Sequence, residues 1–220
     1  DRKCIDQSLR LLPNDASVLY VAGREARFDG DVEKWVEHWK KAFHRDESVQ
    51  EQIIRQMADS TELPVEIIVK AFEPDVDALD RMIEILGGLG QEQNQRKALE
   101  VLAARLIKRA ETSGNADRAT DWRKAAVAFY RLDNVVQVES CFEKAAEAAP
   151  TNFRVHLDYG SWLLAQGRPA AATEHLQWCQ RMVPHDAQVQ KAMNALKRAV
   201  RDSGMIRQAA ANSSNDTAIQ

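Results

Sequence analysis

The chain has 220 residues, 45% hydrophobic and 29% charged, with 9 glycines, 6 prolines and a formal net charge of −3. Turn-rich all-β folds use more glycine and proline than this, and proteins that bind nucleic acid through bulk charge are usually basic, so both classes lose weight. No window of about 18 apolar residues is free of charge, so this segment is not expected to insert into a membrane.

In chain order the apolar residues recur with helical spacing almost throughout. Residues 1–15 read as a closing helix, with Ile5, Ser8, Leu9 and Pro13 at its marker positions. The chain begins at Asp1, inside this pattern and without a basic stretch followed by an apolar run. The expectation is therefore a fragment or processed product, with a signal, anchor or further domain upstream. Residues 16–49 carry Leu19, Ala22, Gly23, Ala26, Gly30, Trp35, Trp39 and Ala42 at helix–turn–helix spacing.

Residues 48–118 are less regular but still helical. Val49, Ile53, Ile54 and Met57 share one face; Pro64 opens a short helix with Ile67, Ile68 and Phe72; Pro74 opens another with Val76, Leu79, Met82, Ile83 and Leu86. Gly87 to Gly90 form a turn, and Ala98, Leu99, Leu102, Ala103, Leu106, Ile107 and Ala110 make a continuous stripe. These are two degenerate hairpins, the first shortened.

Residues 119–152 and 153–186 superpose at a 34-residue step. Trp122 then matches His156, Ala126 matches Gly160, Phe129 matches Leu163 and Asp133 matches Gly167. Val138 matches Ala172, Phe142 matches Leu176, Ala145 matches Cys179 and Pro150 matches Pro184. The small residue lets two helices approach, the Asp or Gly breaks the first helix, and the proline cannot continue the second. Residues 187–200 form a capping helix, and residues 201–220, small and polar, are expected as a flexible tail. The acceptor-like triplets at Asn212 and Asn215 are of the kind that arise by chance in such a tail.

This spacing resembles the tetratricopeptide repeat. The likeness covers the half repeat 1–15, the repeats 16–49, 119–152 and 153–186, and loosely the middle. Trp35 departs from it, because a small residue is usual there, and Glu47 stands where the proline would be. The fold it implies is all-α, a right-handed superhelix of antiparallel helix hairpins with a C-terminal cap over residues 187–200. A second, narrower likeness lies in residues 39–79. They look like the repeat regions attached to bacterial O-antigen ligase or polymerase-like membrane proteins, which would imply a membrane-anchored parent outside the cytoplasm.

Motifs for chemistry are sparse. There is no Gly-rich phosphate loop, Gly-x-Ser-x-Gly elbow or His-Glu-x-x-His. The histidines are His38, His44, His156, His175 and His185. His175 and Cys179 stand one helical turn apart, with Cys141 on the neighbouring second helix, which is ligand-like spacing. The register instead makes Cys141 and Cys179 packing residues, so no metal or other cofactor is expected. Cys4 completes an odd count that fits no disulfide framework. Asp75 and Asp77 sit at a helix start, where acids favour the positive end of the dipole, and the tryptophans read as core. No enzyme activity is expected.

In the repeats that this chain resembles, the first helix of each hairpin lines a concave surface. Projecting that geometry places Tyr20, Arg24, Arg27, Arg123, Val127, Tyr130, Arg131, Arg154 and Leu157 there, with Lys191 and Arg198 from the cap. Ser161 falls beside them. Arginine pairs well with carboxylates, so the expectation is a protein-interaction scaffold holding an extended acidic peptide or protein segment. The alternative is an accessory repeat domain of a larger membrane-anchored glycan ligase. The lysine and asparagine set with which some such repeats clamp a C-terminal carboxylate does not align here. This basic face requires Arg123 and Arg154 to remain unneutralised by acids such as Asp158.

Overall fold

The computed structural model describes residues 2–58 and 65–216, and it is helical throughout them, with no strand among the described residues. Among the described residues twelve helices follow one another. They are α1 (Arg2–Leu11), α2 (Ala16–Phe28), α3 (Val32–Phe43), α4 (Glu47–Ala58), α5 (Val65–Phe72) and α6 (Val76–Gly88). After them come α7 (Glu92–Thr112), α8 (Asn115–Arg131), α9 (Val135–Ala148), α10 (Phe153–Ala165), α11 (Pro169–Met182) and α12 (Ala187–Asp216). Pro64, read as the opening residue of α5, lies outside the described residues, as do residues 217–220. α12 continues past residue 200, where a loose tail is expected from composition. No proline interrupts that stretch, and Ala209, Ala210 and Ala211 are good helix formers.

Short acidic or amide side chains start many of these helices by accepting orphan backbone N–H bonds. Asp15 accepts from Val18 N at 2.9 Å, Asp75 from Ala78 N at 2.8 Å and Asp186 from Val189 N at 3.0 Å. Asn152 accepts from Arg154 N and Val155 N at the start of α10.

The turns inside the hairpins share one design. Gly30, Gly90, Asp133 and Gly167 all have positive φ, between 58° and 76°. In each turn the next residue's N–H reaches back to a carbonyl in the helix just ended: Asp31 to Ala26, Gln91 to Leu86, Asn134 to Phe129 and Arg168 to Leu163, at 2.9–3.0 Å. This is the left-handed C-terminal cap that satisfies carbonyls at a helix end. The α6–α7 turn, in the stretch where the sequence pattern is degenerate, keeps it. α6 therefore runs through Gly87 and Gly88, and Gly90 alone reverses the chain.

Two of the hairpins close on a residue without a side chain. A Cβ built on Gly23 of α2 would lie 2.1 Å from Trp39 of α3, and one on Gly160 of α10 would lie 2.8 Å from Leu176 of α11. Gly23 and Trp39 occupy the same repeat positions as Gly160 and Leu176. Corresponding side chains also meet in consecutive hairpins. Lys144 stands 4.4 Å from the Trp122 ring, and the equivalent Trp178 lies 4.5 Å from the ring of His156.

The chain divides into two compact units, one of residues 1–106 with 128–134 and the other of residues 107–127 with 135–220, where the sequence reading treats 1–200 as one repeat domain. Repeat arrays bury surface mainly between neighbours, so such a division needs no change of fold. In the first unit Trp39, Phe43, Phe72, Ile53, Met57, Leu79 and Met82 are fully buried, and Trp35 stacks edge-on to Trp39 at 5.3 Å. Gln50, also buried, donates to Phe43 O at 3.1 Å and accepts from Arg81 Nε at 2.8 Å. In the second unit Arg109 grips buried Asp121 with two bonds, at 2.7 and 2.5 Å, and Phe142 stacks on Tyr159 at 5.2 Å.

Two substitutions test this construction. Gly160→Leu should overpack the crossing and lower stability by roughly 1–3 kcal/mol in a thermal or denaturant melt. Gly167→Ala meets open space but must hold a φ of 68°, so a smaller loss of about 1 kcal/mol is expected.

Candidate protein-interaction face

Within the first unit the first helices α2, α4 and α6 lie side by side, and within the second unit α10 lies against α12. The projected residues fall on α2, α8, α10 and α12, but their surroundings differ from a simple basic face. Tyr20 is half-buried, stacks on Trp39 with centroids 5.9 Å apart and donates its hydroxyl to Gln56 Oε1 of α4 at 2.9 Å. Arg24, exposed, stands 6.0 Å from the Tyr20 ring, and Arg27 stands 5.7 Å from the Trp39 ring. Contacts of this kind attract a guanidinium electrostatically to the face of the ring.

On α4 and α6 an open groove of about 480 Å³ is lined by Glu51, Arg55, Asp80, Arg81, Glu84, Ile85 and Gly88. Its charges alternate. Arg55 pairs with Glu51 at 2.7 Å, Arg81 with Glu47 at 3.3 Å and Arg131 with Glu84 at 3.1 Å. Arg55, Arg81 and the acids of this groove lie outside the projected basic set, whose arginines fall on α2, α8, α10 and α12. The acids at matching helical positions were visible in the sequence, but which of them shared a face depended on how α4 and α6 pack.

In the second unit the expected basic face does not form. Arg123 donates to Asp158 at 2.7 Å, with both side chains about one-fifth exposed (21% and 20%), and Arg154 approaches the same carboxylate at 3.3 Å. Arg154 also donates to Gln188 Oε1 of α12 at 2.8 Å. One acid thus serves two arginines, which is the neutralisation that overturns them as free anion anchors. Leu157 is 3% exposed and belongs to the core, because its turn of α10 faces inward and not into a groove. Val127 and Tyr130 are exposed, at 41% and 55%. Lys191 and Arg198 are exposed on α12, with Arg198 Nε turned back to Asn194 O at 3.3 Å.

The ligand-like trio of His175, Cys179 and Cys141 does not converge. His175 Nδ1 meets His156 Nδ1 at 2.8 Å, while the Cys179 thiol points to Phe153 O at 3.7 Å. Burial pushes both thiols up to about 11, so they stay protonated near neutral pH. Among the described residues no group of three or more His, Cys, Asp or Glu side chains could hold a metal ion, and no helix is long and apolar enough to cross a membrane.

No protein-family model matches the chain, and no curated protein matches it either. A solved structure, the APC/C hetero-tetramer Cut9–Hcn1, is similar with a TM-score of 0.45 and 14% identity, over 90% of this chain. This chain spans 38% of that one. A likeness at this level carries no argument about partners, and the fold rests on the helix order and the recurring turns. The likeness of residues 39–79 to ligase-associated repeats gains no support from these comparisons.

Asp158 is the residue on which this charge arrangement turns. Asp158→Ala should leave Arg123 half-enclosed without its counter-ion and cost about 1–3 kcal/mol. Asp158→Asn should cost less, because an amide oxygen still accepts. Denaturant melts of the two variants check the order.

Proposed function

We propose that the chain is a protein-interaction scaffold that holds an extended segment of a partner across the first-helix face of α2, α4 and α6. The observation that supports this reading is the open groove on α4 and α6, continuous in hydrogen bonding with α2 through the Tyr20–Gln56 bond. Helix hairpins packed side by side present such faces, and exposed polar side chains on rigid helices give a partner fixed donors and acceptors. A preference for acidic segments is narrowed by the neutralisation of Arg123 and Arg154. It rests in this proposal on Arg24, exposed beside the Tyr20 ring on α2.

The test is selection from a displayed peptide library, followed by titration of the selected peptides. Acidic sequences should enrich, and Arg24→Glu should weaken their binding by about tenfold. Lys34→Glu and Lys41→Glu, on α3, should leave it unchanged. Binding should also weaken with salt, since exposed charges are screened over about 8 Å at physiological ionic strength. Enrichment of basic or purely apolar peptides, or amide protection confined to α3 and α5, would sink the proposal.

A further inference from the structure

At the crossing of α10 and α11 the repeat carries an unusual pair. The preceding hairpin fills the equivalent positions with Trp122 and Cys141, both buried; here they are His156 and His175, with Nδ1 atoms 2.8 Å apart. The two half-buried rings are flanked by aromatic neighbours. Trp178 lies 4.5 Å from His156 and Tyr159 lies 4.6 Å from His175, centroid to centroid.

The hydrogen bonds fix where the protons sit. His156 Nε2 lies 2.7 Å from Pro150 O, and a carbonyl only accepts, so Nε2 carries the hydrogen. A neutral imidazole has a single N–H, so His156 Nδ1 presents its lone pair. His175 must then donate through its own Nδ1. The chain of bonds runs from His175 to His156 to the Pro150 carbonyl. The pair can take one further proton, on His175 Nε2, without breaking it. A second must go to His156 Nδ1, which would face the Nδ1–H of His175.

We propose that His156 and His175 form an acid-sensitive clasp between α10 and α11, in which double protonation drives the rings apart and loosens this hairpin. The neighbouring charges do not relieve the conflict. Glu174 on α11 favours the charged form of His175, but it is exposed and outweighed by burial and by His156, which hold His175 below its usual range. From α9, Glu139 and Glu143 bear on Tyr159, which burial pushes up to about 12, and Arg168 pairs with Glu139 at 2.6 Å. Asp158 on α10 is engaged by Arg123 and Arg154, and Asp186, at the start of α12, bears on Cys179. Burial makes the first proton, on His175, harder to add than in the unfolded chain, and the facing Nδ1–H obstructs the second, so the unfolded chain binds more protons over a window that opens near pH 6.5 and extends downward. Stability falls as pH drops through that window and is fully present above it.

Long-range imidazole ¹⁵N–¹H spectra of the full chain should show His156 as the Nε2–H tautomer and His175 as the Nδ1–H tautomer at about pH 7.5. The melting temperature should fall by roughly 3–6 °C between about pH 7.5 and 5. His175→Gln keeps an N–H donor toward His156 but cannot titrate, so it should remove half or more of that fall. Should this variant fail to fold, the spectra of the unsubstituted chain decide. Finding His156 as the Nδ1–H tautomer, or two rings that titrate independently at the ordinary histidine midpoint, overturns the clasp. A fall in melting temperature unchanged by His175→Gln overturns it too.

Discussion

The close crossing of two helices at a small residue, glycine in two of the repeats and Ala126 in a third, is the constraint on which the repeats depend. At Gly23 the indole of Trp39 occupies the space a Cβ would need, and at Gly160 the Leu176 side chain does the same. Once the backbones come this near, the returning helix has little freedom in angle or register. The left-handed cap at Gly30 or Gly167 then reverses the chain over very few residues. Asp133 does this work without being glycine, at a φ of 58°; aspartate tolerates that region better than most side chains. Dispersion and burial on the inner faces supply the stabilising free energy, while the crossing and the cap decide which surfaces are buried.

Charge is organised differently from apolar packing. Most ion pairs are exposed, as with Lys41–Glu37 and Arg55–Glu51, and pairs of this kind contribute little to stability. Arg109–Asp121 and Arg123–Asp158 differ, because their carboxylates are largely enclosed. Each ties a basic residue to one geometry, with a desolvation cost that makes breaking the pair worse than never having formed it. The price of Asp158 serving both Arg123 and Arg154 is that neither arginine stands ready for a partner. In the proposed reading acidic recognition accordingly falls to Arg24, exposed beside the Tyr20 ring.

Equivalent positions of the repeat carry different chemistry while keeping the same neighbours. Trp122 with Lys144 is a cation–π contact, and His156 with Trp178 is a ring contact in its place. Both fill the gap beside the hairpin crossing, so packing alone accepts either. The exchange of Cys141 for His175 then brings two imidazoles together at their Nδ1 atoms and introduces titratable groups into a place where the preceding hairpin has none that ionises near neutral pH. A repeat architecture permits this kind of local change because each unit answers mainly to its neighbours.

Much of the fold was legible in the sequence because its causes are local. Gly30, Asp133 and Gly167 announce breaks that backbone sterics enforce, and the 34-residue register places Ala126, Gly160, Phe142 and Leu176 without knowledge of any distant contact. Helical periodicity likewise marked Leu19, Trp39, Val138 and Cys179 as inward, and all are buried. The regular α6–α7 turn was obscured by the run Gly87-Gly88-Leu89-Gly90, because a glycine inside a helix and a glycine that ends one look alike until the cap's hydrogen bonds are seen. The face for partners was only half legible. Helical spacing gives the face on which Arg123 and Arg154 lie and puts Asp158 one turn from Arg154, but not that Asp158 also reaches Arg123 of α8, nor that Leu157 turns inward. Those facts depend on inter-helix distances of a few ångströms, which the packing of neighbouring helices sets and no single helix encodes. The sequence by itself determined helices, turns and inward faces, through steric and solvation rules that act within a few residues. Only the tertiary structure decided which charges cancel and which histidines meet, because Coulomb and hydrogen-bond energies depend on separations between residues far apart in the chain.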